Sequence, residues 1–299
     1  AEGRGMPRAQ QGQHWMRVLG LPALGLLAAF GPALLALSEV WSSRDYYSHG
    51  YLVPLVSLWA AAGIAGSRRR LRFAPDIRGL GALVVAAALY AIGLGTGWAS
   101  VLGISFVLAV ASLVWARCGI RWLRALSFPI GFLLFMVPLP DAWVSPVIVA
   151  LQLGVSHVAV VLVRVGGMSV HRDGNVIELA GDEALFVAEA CSGITSVITL
   201  IPIAVVIAYF TERSLLRRAV LLLAVVPLAL LGNLVRVVGT IIAAQEYGSE
   251  AATKGSLHEL AGVATYVLGC MALLGVGALL RRWWPESSGD VPAPERESA

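Results

Sequence analysis

The chain has 299 residues, of which 58% are hydrophobic and only 13% are charged, and its mean hydropathy is +0.79. Soluble globular chains carry about 25% charged residues, so this composition excludes a soluble protein and indicates an integral membrane protein. The formal net charge of +4 does not by itself indicate nucleic-acid binding, because excess arginine in a membrane protein usually reflects its orientation. Three cysteines are too few for a disulfide framework, so each is considered as a single thiol.

Eight apolar runs come close to the roughly 20 residues that a helix needs to cross the hydrocarbon core of a bilayer. We predict membrane spans at residues 18–38, 50–66, 79–97, 99–116, 125–140, 192–210, 219–238 and 260–280. The residues before Met6 resemble a cloning remnant within a cytoplasmic tail, 1–17. The polar stretch 283–299 is expected to be a disordered cytoplasmic tail. Residues 18–282 are therefore predicted to form one all-α transmembrane domain.

The basic residues are distributed unevenly along the chain, and their distribution predicts its orientation. Of the 22 basic residues, 17 lie in the two tails or in alternate loops between the spans. By the positive-inside rule these loops are cytoplasmic, and so are both termini. The basic residues outside this pattern are Arg44, Arg164, Arg172, Arg236 and Lys254.

The stretch between the fifth and sixth spans needs a different interpretation. An even number of crossings must separate Pro140 from Cys191 if all the arginine loops lie on one side. Residues 143–165 are apolar enough to span, but 176–190 carries four acidic residues, which are too costly to return through hydrocarbon. We therefore predict that 143–165 is a helix lying along the outer interface or dipping into it. A small β-hairpin is expected over 168–188.

Three polar residues lie at the outer ends of three different predicted helices. Cys191 lies at the outer start of the sixth span, Arg236 near the outer end of the seventh, and His258 at the outer start of the eighth. Ionisable residues at membrane depth are costly to bury and usually serve a function. Taken singly, the cysteine would be a small core residue, and the arginine and histidine would be interfacial anchors. Their common depth on one side favours a shared site.

These three side chains are suited to nucleophilic acyl transfer. A thiol becomes a strong nucleophile when a nearby cation or histidine lowers its pKa, and the N-terminal end of a helix adds to this effect. His258 would accept the thiol proton of Cys191 and return it to a leaving amine. Arg236 would stabilise the oxyanion or hold a substrate carboxylate. Cys118 and Cys270 are interpreted as small core residues.

The same residues carry a resemblance to a known family. The relevant segments are VAEACSGI (187–194), Asn233-Leu-Val-Arg236, and His258 followed by Gly262. Together they resemble the three-part signature of the exosortase/archaeosortase family. The resemblance extends to YYSHGYLVPLVSLW (46–59), FPIGFLLFMVPLP (128–140) and HRDGNVIEL (171–179). It covers roughly residues 40–280.

The resemblance implies eight membrane helices with a Cys/Arg/His triad on the outward face, in a bacterial inner membrane with the active site facing the periplasm. Members are thought to cleave C-terminal sorting signals of exported proteins, of the Pro-Glu-Pro type (PEP-CTERM) in Gram-negative bacteria. By this resemblance Cys191 is the nucleophile that forms a thioacyl intermediate, Arg236 is its electrostatic partner and His258 is the acid/base.

The implied partners are the sorting-signal helix, membrane lipids, and an unidentified amine or lipid acceptor, with water as the alternative acceptor. No cofactor, metal ion or nucleic acid is expected. Some members carry an added C-terminal domain linked to exopolysaccharide systems. We expect no such domain here, because few residues follow the last predicted span.

Three further residues are candidates for substrate-binding or supporting roles. Glu189 precedes the nucleophile by two residues and would orient His258 or contact the substrate, unless it is a solvated interfacial acid. Asn233 lies one helical turn before Arg236 on the same face, and it would orient the guanidinium or donate to the oxyanion. His49, at the outer start of the second span, would line the site or serve as an interfacial anchor.

Two other functions remain open from the sequence. Ala190-Cys191-Ser192-Gly193 resembles the Gly-x-Ser-Gly of rhomboid-like intramembrane proteases, which would make Ser192 the nucleophile and leave Arg236 without a role. A multi-spanning transporter would also contain broken helices and a buried arginine for an anionic substrate. The spans show no inverted-repeat symmetry, however, and the polar residues gather at the outer surface and not at the midplane. The cysteine protease or transpeptidase is therefore the preferred hypothesis.

Overall fold

The computed structural model describes residues 20–68, 71–179, 184–186, 192–253 and 256–284. The chain divides into two compact units, the first ending at Pro140 and the second beginning at Asp141. The predicted tails therefore lie almost entirely outside the described residues, as do Glu189 and Cys191. In each unit, we term the end that carries the arginine clusters the arginine-rich end and the opposite end the arginine-poor end.

The first unit consists of apolar helices of very different lengths. They are α1 (Leu21–Ala29), α2 (Gly31–Ser43), α3 (Leu52–Ser67), α4 (Arg78–Thr96), α5 (Ala99–Cys118), α6 (Ile120–Ala125) and α7 (Ser127–Phe132). A 3-10 turn, Asp45–Tyr51, leads into α3, and a second one, Leu133–Met136, continues α7.

Helix α5 is the most buried helix of the first unit and packs closely along α4. A Cβ at Gly79 of α4 would lie only 2.3 Å from the backbone nitrogen of Ala116, and a Cβ at Gly93 would lie 2.7 Å from the side chain of Leu102. Small residues let membrane helices approach closely, which maximises their van der Waals contact. The hairpin between the two helices turns at Gly97, whose φ is +71°.

The segment after α5 runs from one end of the first unit to the other as a broken helix. At the arginine-rich end, Leu126 packs in a cluster with residues from the last turn of α3. The Ser57 hydroxyl, in the middle of α3, donates to the Pro129 carbonyl at 2.7 Å. At the arginine-poor end, the Trp41 indole N–H donates to the Met136 carbonyl at 2.8 Å.

The second unit contains longer helices and a small sheet. Its helices are α8 (Asp141–Val165), α9 (Ile194–Thr211), α10 (Leu215–Tyr247), α11 (Ser249–Thr253) and α12 (Ser256–Trp283). Helices α9, α10 and α12 pack around a core that includes Leu200, Leu221, Val225 and Leu273. The 33 residues of α10 extend over about 50 Å. This helix is therefore longer than the roughly 30 Å of a bilayer core.

A three-stranded antiparallel sheet lies near the arginine-poor end of α10. Its strands are β1 (His171–Asp173), β2 (Val176–Glu178) and β3 (Ala184–Phe186), in the order β1-β2-β3. Ile177 and Leu185 pack in one apolar cluster with residues of α8 and with Ile241 of α10. The predicted β-hairpin is thus confirmed by β1 and β2, and a third strand that was not predicted extends it.

Six of the eight predicted spans correspond to helices that are long and apolar enough to cross a membrane. These are Asp45–Ser67, Arg78–Thr96, Ala99–Cys118, Ile194–Thr211, Leu215–Tyr247 and Leu260–Trp283. The first predicted span, 18–38, corresponds to α1 and α2, which meet at a bend of 64°. Pro32, in the first turn of α2, has no N–H to continue the hydrogen bonding of α1 across this bend.

Between residues 125 and 165 the structure corrects one assignment and leaves a second one open. The predicted fifth span, 125–140, is not a continuous helix, and its apolar helical part is the 10-residue segment Ser127–Met136, about 15 Å long. The predicted interfacial helix, 143–165, is the continuous α8 of 25 residues, which is long and apolar enough to cross a membrane. By length and composition, the described residues contain seven candidate spans, or eight if the bent pair counts as one. The position of α8 relative to the membrane stays a prediction.

A buried carboxylate joins three helices at the arginine-rich end of the second unit. Glu212 follows α9, and its side chain is fully buried. Its Oε2 lies 3.2 Å from Nη1 of Arg217 in α10, and its Oε1 lies 2.6 Å from Nη1 of Arg281 in α12. Arg217 also donates to the Trp284 carbonyl, and Arg218 donates to the Glu212 carbonyl at 2.8 Å. These arginines therefore hold helix ends together.

Candidate functional site

The turn that precedes α9 lies against the middle of α10. Gly193 has a φ of +88°, in the left-handed region that favours glycine. A Cβ at Gly193 would lie 3.2 Å from Nδ2 of Asn233, so the Asn233 side chain packs directly against the backbone of this turn. Asn233 itself is 1% exposed. Cys191 lies outside the described residues, two positions before this contact.

Ser192, between the predicted nucleophile and this turn, serves a structural purpose. Its side chain is completely buried, and its hydroxyl oxygen accepts a hydrogen bond from the backbone N–H of Ile194 at 3.2 Å. The first N–H groups of a helix have no intrahelical partner, and serine side chains commonly satisfy them. This burial and this hydrogen bond disfavour Ser192 as a solvent-accessible nucleophile.

Arg236 lies between α10 and α12, one turn after Asn233. Its side chain is half-buried, and its Nη2 lies 3.4 Å from the position that a Cβ would take at Gly262. A Cβ at that distance would be in ordinary van der Waals contact, so the guanidinium lies directly beside Gly262 of α12. His258 is one helical turn before Gly262, in the first turn of α12. Its backbone belongs to the described residues, but its side chain does not.

Three helices thus contribute to one region at the arginine-poor end of the second unit. The described residues of this region are the first turn of α9, Asn233 and Arg236 of α10, and Gly262 of α12. A helix N-terminus carries a partial positive charge, and arginine is permanently charged. The region is therefore electropositive and suited to stabilising a thiolate or an oxyanion. The contacts of Cys191, Glu189 and the His258 side chain stay predictions.

His49 belongs to the first unit, where it contacts the segment before Pro140. Its Nε2 lies 3.1 Å from the carbonyl oxygen of Phe135. The neighbouring Tyr47 hydroxyl accepts a hydrogen bond from the backbone N–H of Leu139 at 2.8 Å. His49 and Tyr47 thus hold the end of the broken helix. The predicted role of His49 in lining the active site stays a prediction.

In the sequence, Gly193 and Gly262 appear only as parts of the motifs, without a structural role. The structure places Gly193 against Asn233 and Gly262 against Arg236. Their proximity in the sequence to the predicted catalytic residues could have indicated a role in the site, because each glycine lies within four residues of one of them. Within the described part of the chain, no three His, Cys, Asp or Glu side chains are placed to hold a metal ion.

Comparison with protein families gives a match over most of the chain. A family model described as transmembrane exosortase (Exosortase_EpsH) matches residues 41–275, which is most of the chain. No match was found among curated proteins or among solved structures. The matched range contains the predicted catalytic residues Cys191, Arg236 and His258. The chain belongs to the transmembrane exosortase family.

Proposed function

We propose that this protein is a membrane cysteine peptidase or transpeptidase that cleaves a C-terminal sorting signal from exported proteins. Membership of the exosortase family supports a protein-sorting activity of this kind. The single observation that carries the proposal for this chain is the location of Arg236. Its guanidinium is half-buried against Gly262, one turn from His258, and it follows Asn233, which packs on the turn next to Cys191.

The proposed reaction begins at the Cys191 thiol. His258 takes the thiol proton, and the thiolate attacks the carbonyl carbon of the scissile peptide bond. Arg236 stabilises the negative oxygen that forms in the tetrahedral intermediate. When the C–N bond breaks, His258 gives its proton to the leaving amine, and the N-terminal part of the substrate remains bound to Cys191 as a thioester.

The second half of the proposed reaction releases the product. An amine or a water molecule attacks the thioester carbonyl, and His258 takes a proton from the attacking group as the bond forms. The thiolate then leaves and is reprotonated by His258, so the enzyme returns to its starting state. An amine acceptor gives transpeptidation, and water gives proteolysis. The proposed substrate carries a PEP-CTERM-type signal, whose membrane helix would present the motif at the bilayer surface.

The test is coexpression with a tagged substrate that ends in a Pro-Glu-Pro motif, a hydrophobic helix and a basic tail. Mass spectrometry of the purified substrate then identifies its new C-terminus. An amide-linked adduct demonstrates transpeptidation, and a free carboxylate demonstrates proteolysis. An uncut substrate in the presence of well-expressed, folded protein would rule out the assigned substrate.

Variants assign the roles of the individual residues. We expect Cys191→Ala and His258→Ala to abolish cleavage, and Arg236→Lys to reduce it on the order of 100-fold, since lysine keeps the charge but loses the planar fork. Ser192→Ala is the matched control and should still cleave, because Ser192 is buried and bonded to Ile194. Cleavage that survives in Cys191→Ala but not in Ser192→Ala would instead establish a serine protease.

A further inference from the structure

The first unit contains a cavity at its arginine-rich end, far along the chain from the predicted catalytic residues. The cavity has a volume of about 650 Å³, within the roughly 300–1,000 Å³ of typical small-molecule sites. Its wall combines the apolar side chains of Phe73, Ile77 and Leu80 with the charged side chains of Asp76 and Arg117. The cavity therefore presents both an apolar surface and a cation.

The loop that forms one wall of this cavity is firmly attached to the end of α5. The backbone N–H of Ala74 donates to the Cys118 carbonyl at 3.1 Å, and that of Asp76 donates to the Ala116 carbonyl at 3.2 Å. The Trp115 indole N–H donates to Oδ2 of Asp76 at 2.9 Å. These bonds form the cavity without any ligand, so little conformational entropy is lost when a ligand enters.

The acidic residue in the wall is already occupied by hydrogen bonds. Oδ1 of Asp76 accepts from the backbone N–H of Arg78 at 2.9 Å, and Oδ2 accepts from Trp115. The hydrogen bond from the Arg78 backbone N–H is the main reason why the pKa of the Asp76 carboxyl lies below its usual value. Asp76 therefore serves to fix the loop, and it is the only acidic residue among positions 67–125, which include eight arginines.

The excess of positive charge around the cavity indicates which ligand it accepts. All the described arginines between positions 67 and 125 are exposed. These are Arg68, Arg72, Arg78, Arg117, Arg121 and Arg124. Basic pockets beside membrane helices recognise the phosphate groups of anionic lipids. Ile77 is 81% exposed and Leu80 is 52% exposed, so an acyl chain would have apolar surface to cover directly beside the arginines.

We propose that this cavity binds one anionic phospholipid, with its phosphate at Arg117 and an acyl chain against Phe73, Ile77 and Leu80. The proposal depends on the described residues of the first unit alone. It does not depend on the proposed peptidase activity, and it would hold for a chain without that activity. The site would attach α4, α5 and the loop between α3 and α4 to the leaflet that is richer in anionic lipid.

The test uses the full-length protein in detergent and native mass spectrometry. Phosphatidylglycerol and phosphatidylcholine with identical acyl chains are titrated separately, and the dissociation constant of the first bound lipid is measured. We expect phosphatidylglycerol to bind at least fivefold more tightly. Arg117→Gln should weaken that binding about fivefold, which corresponds to the loss of one arginine near an anionic lipid. Arg121→Gln removes the same charge from α6, outside the cavity wall, and should leave binding within twofold of wild type.

A second pair of variants tests the apolar part of the cavity without removing a basic residue. Ile77→Glu places a negative charge in the cavity wall, and Ile77→Gln places a neutral side chain of the same size there. We expect Ile77→Glu to weaken phosphatidylglycerol binding at least fivefold more than Ile77→Gln does, because of repulsion from the lipid phosphate. The high exposure of Ile77 means that both variants should fold.

Three results would overturn the proposal. Equal affinity for the two lipids would mean that the cavity only contacts acyl chains. An equal loss in Arg117→Gln and Arg121→Gln would mean that the lipid responds to the overall charge and not to this cavity. Displacement of phosphatidylglycerol by millimolar inorganic phosphate would mean that the site binds a free anion and not a lipid.

Discussion

At the scale of single residues, the buried carboxylate of Glu212 bonds to two guanidinium groups and so connects the ends of α9, α10 and α12. Removing one partner of a buried ion pair leaves the other charge without compensation, which typically costs 3–5 kcal/mol. We expect Glu212→Gln to lower the free energy of unfolding by about 3 kcal/mol, in a denaturant titration of the purified protein in detergent. Arg282→Gln, at an exposed neighbouring position, should change it by less than about 0.5 kcal/mol. Equal losses in the two variants would contradict a specific role for Glu212.

Gly262 provides a second test at this scale, since a Cβ there would lie 3.4 Å from Nη2 of Arg236. The methyl groups of a valine would extend beyond that Cβ and displace the guanidinium, so we expect Gly262→Val to reduce substrate cleavage at least 10-fold. A displacement of about 1 Å in a catalytic group already costs about 100-fold in rate. Gly275 is the matched control in the same helix, because nothing lies within 4 Å of a Cβ there. If Gly275→Val reduced cleavage as much, the effect would come from α12 in general and not from the contact with Arg236.

Single residues also show which candidates the sequence can supply by itself and which properties need the folded chain. Cys191, Arg236 and His258 could be singled out because polar residues at membrane depth are rare and costly. Ser192 could not be separated from its neighbour in this way, because burial and a hydrogen bond to Ile194 are properties of the folded chain. The same holds for Glu212, whose two partners lie five and 69 residues away in the chain.

At the scale of elements, α8 is the helix whose position is least determined by its sequence. It is long and apolar enough to cross a membrane, yet its C-terminal half packs with Ile177, Leu185 and Ile241 at the arginine-poor end of the second unit. The segment before it also ends at an arginine-poor end, through the bond from Trp41 to Met136. If the arginine clusters all mark one side of the membrane, α8 begins and ends on the other side. The positive-inside rule therefore predicts an interfacial position for α8, and the labelling experiment below decides it.

Cysteine labelling tests the position of α8 directly. His157 and Asp173 are both exposed, so each is replaced by cysteine in a background without the three native cysteines. We expect His157→Cys to react with a water-soluble maleimide within about threefold of the rate of Asp173→Cys, because an interfacial helix keeps one face in water. A rate more than about 100-fold slower would mean that His157 lies in hydrocarbon and that α8 crosses the membrane.

The helices that the sequence predicted well share one property, which is a long apolar run with arginines at or next to one end. Helix α4 and helix α5 are examples, and the structure places them at Arg78–Thr96 and Ala99–Cys118. The segment 125–140 misled prediction because hydropathy measures composition and not hydrogen bonding. Its prolines at 138 and 140 remove N–H groups, and contacts with Ser57 and Trp41 replace the continuous helix.

At the scale of the whole molecule, the orientation of the chain in the membrane follows from the arginine clusters and remains a prediction. In intact cells, an impermeant maleimide should label Asp173→Cys, and it should label Arg121→Cys only after the membrane is permeabilised. Both positions are exposed, so accessibility within the fold does not distinguish them. The opposite labelling pattern would invert the orientation and would place the predicted catalytic residues in the cytoplasm.

The amino-acid sequence alone determined that this is a multi-spanning membrane protein, where its arginines cluster along the chain, and which family signature it contains. These properties depend on composition and on order along the chain, because hydropathy and charge act on each segment separately. Only the tertiary structure decided that Gly193 contacts Asn233, that Gly262 lies against Arg236, and that Glu212 joins three helix ends. Contacts of this kind join residues that are distant in sequence. They depend on close packing and on the satisfaction of buried polar groups, which no single segment specifies.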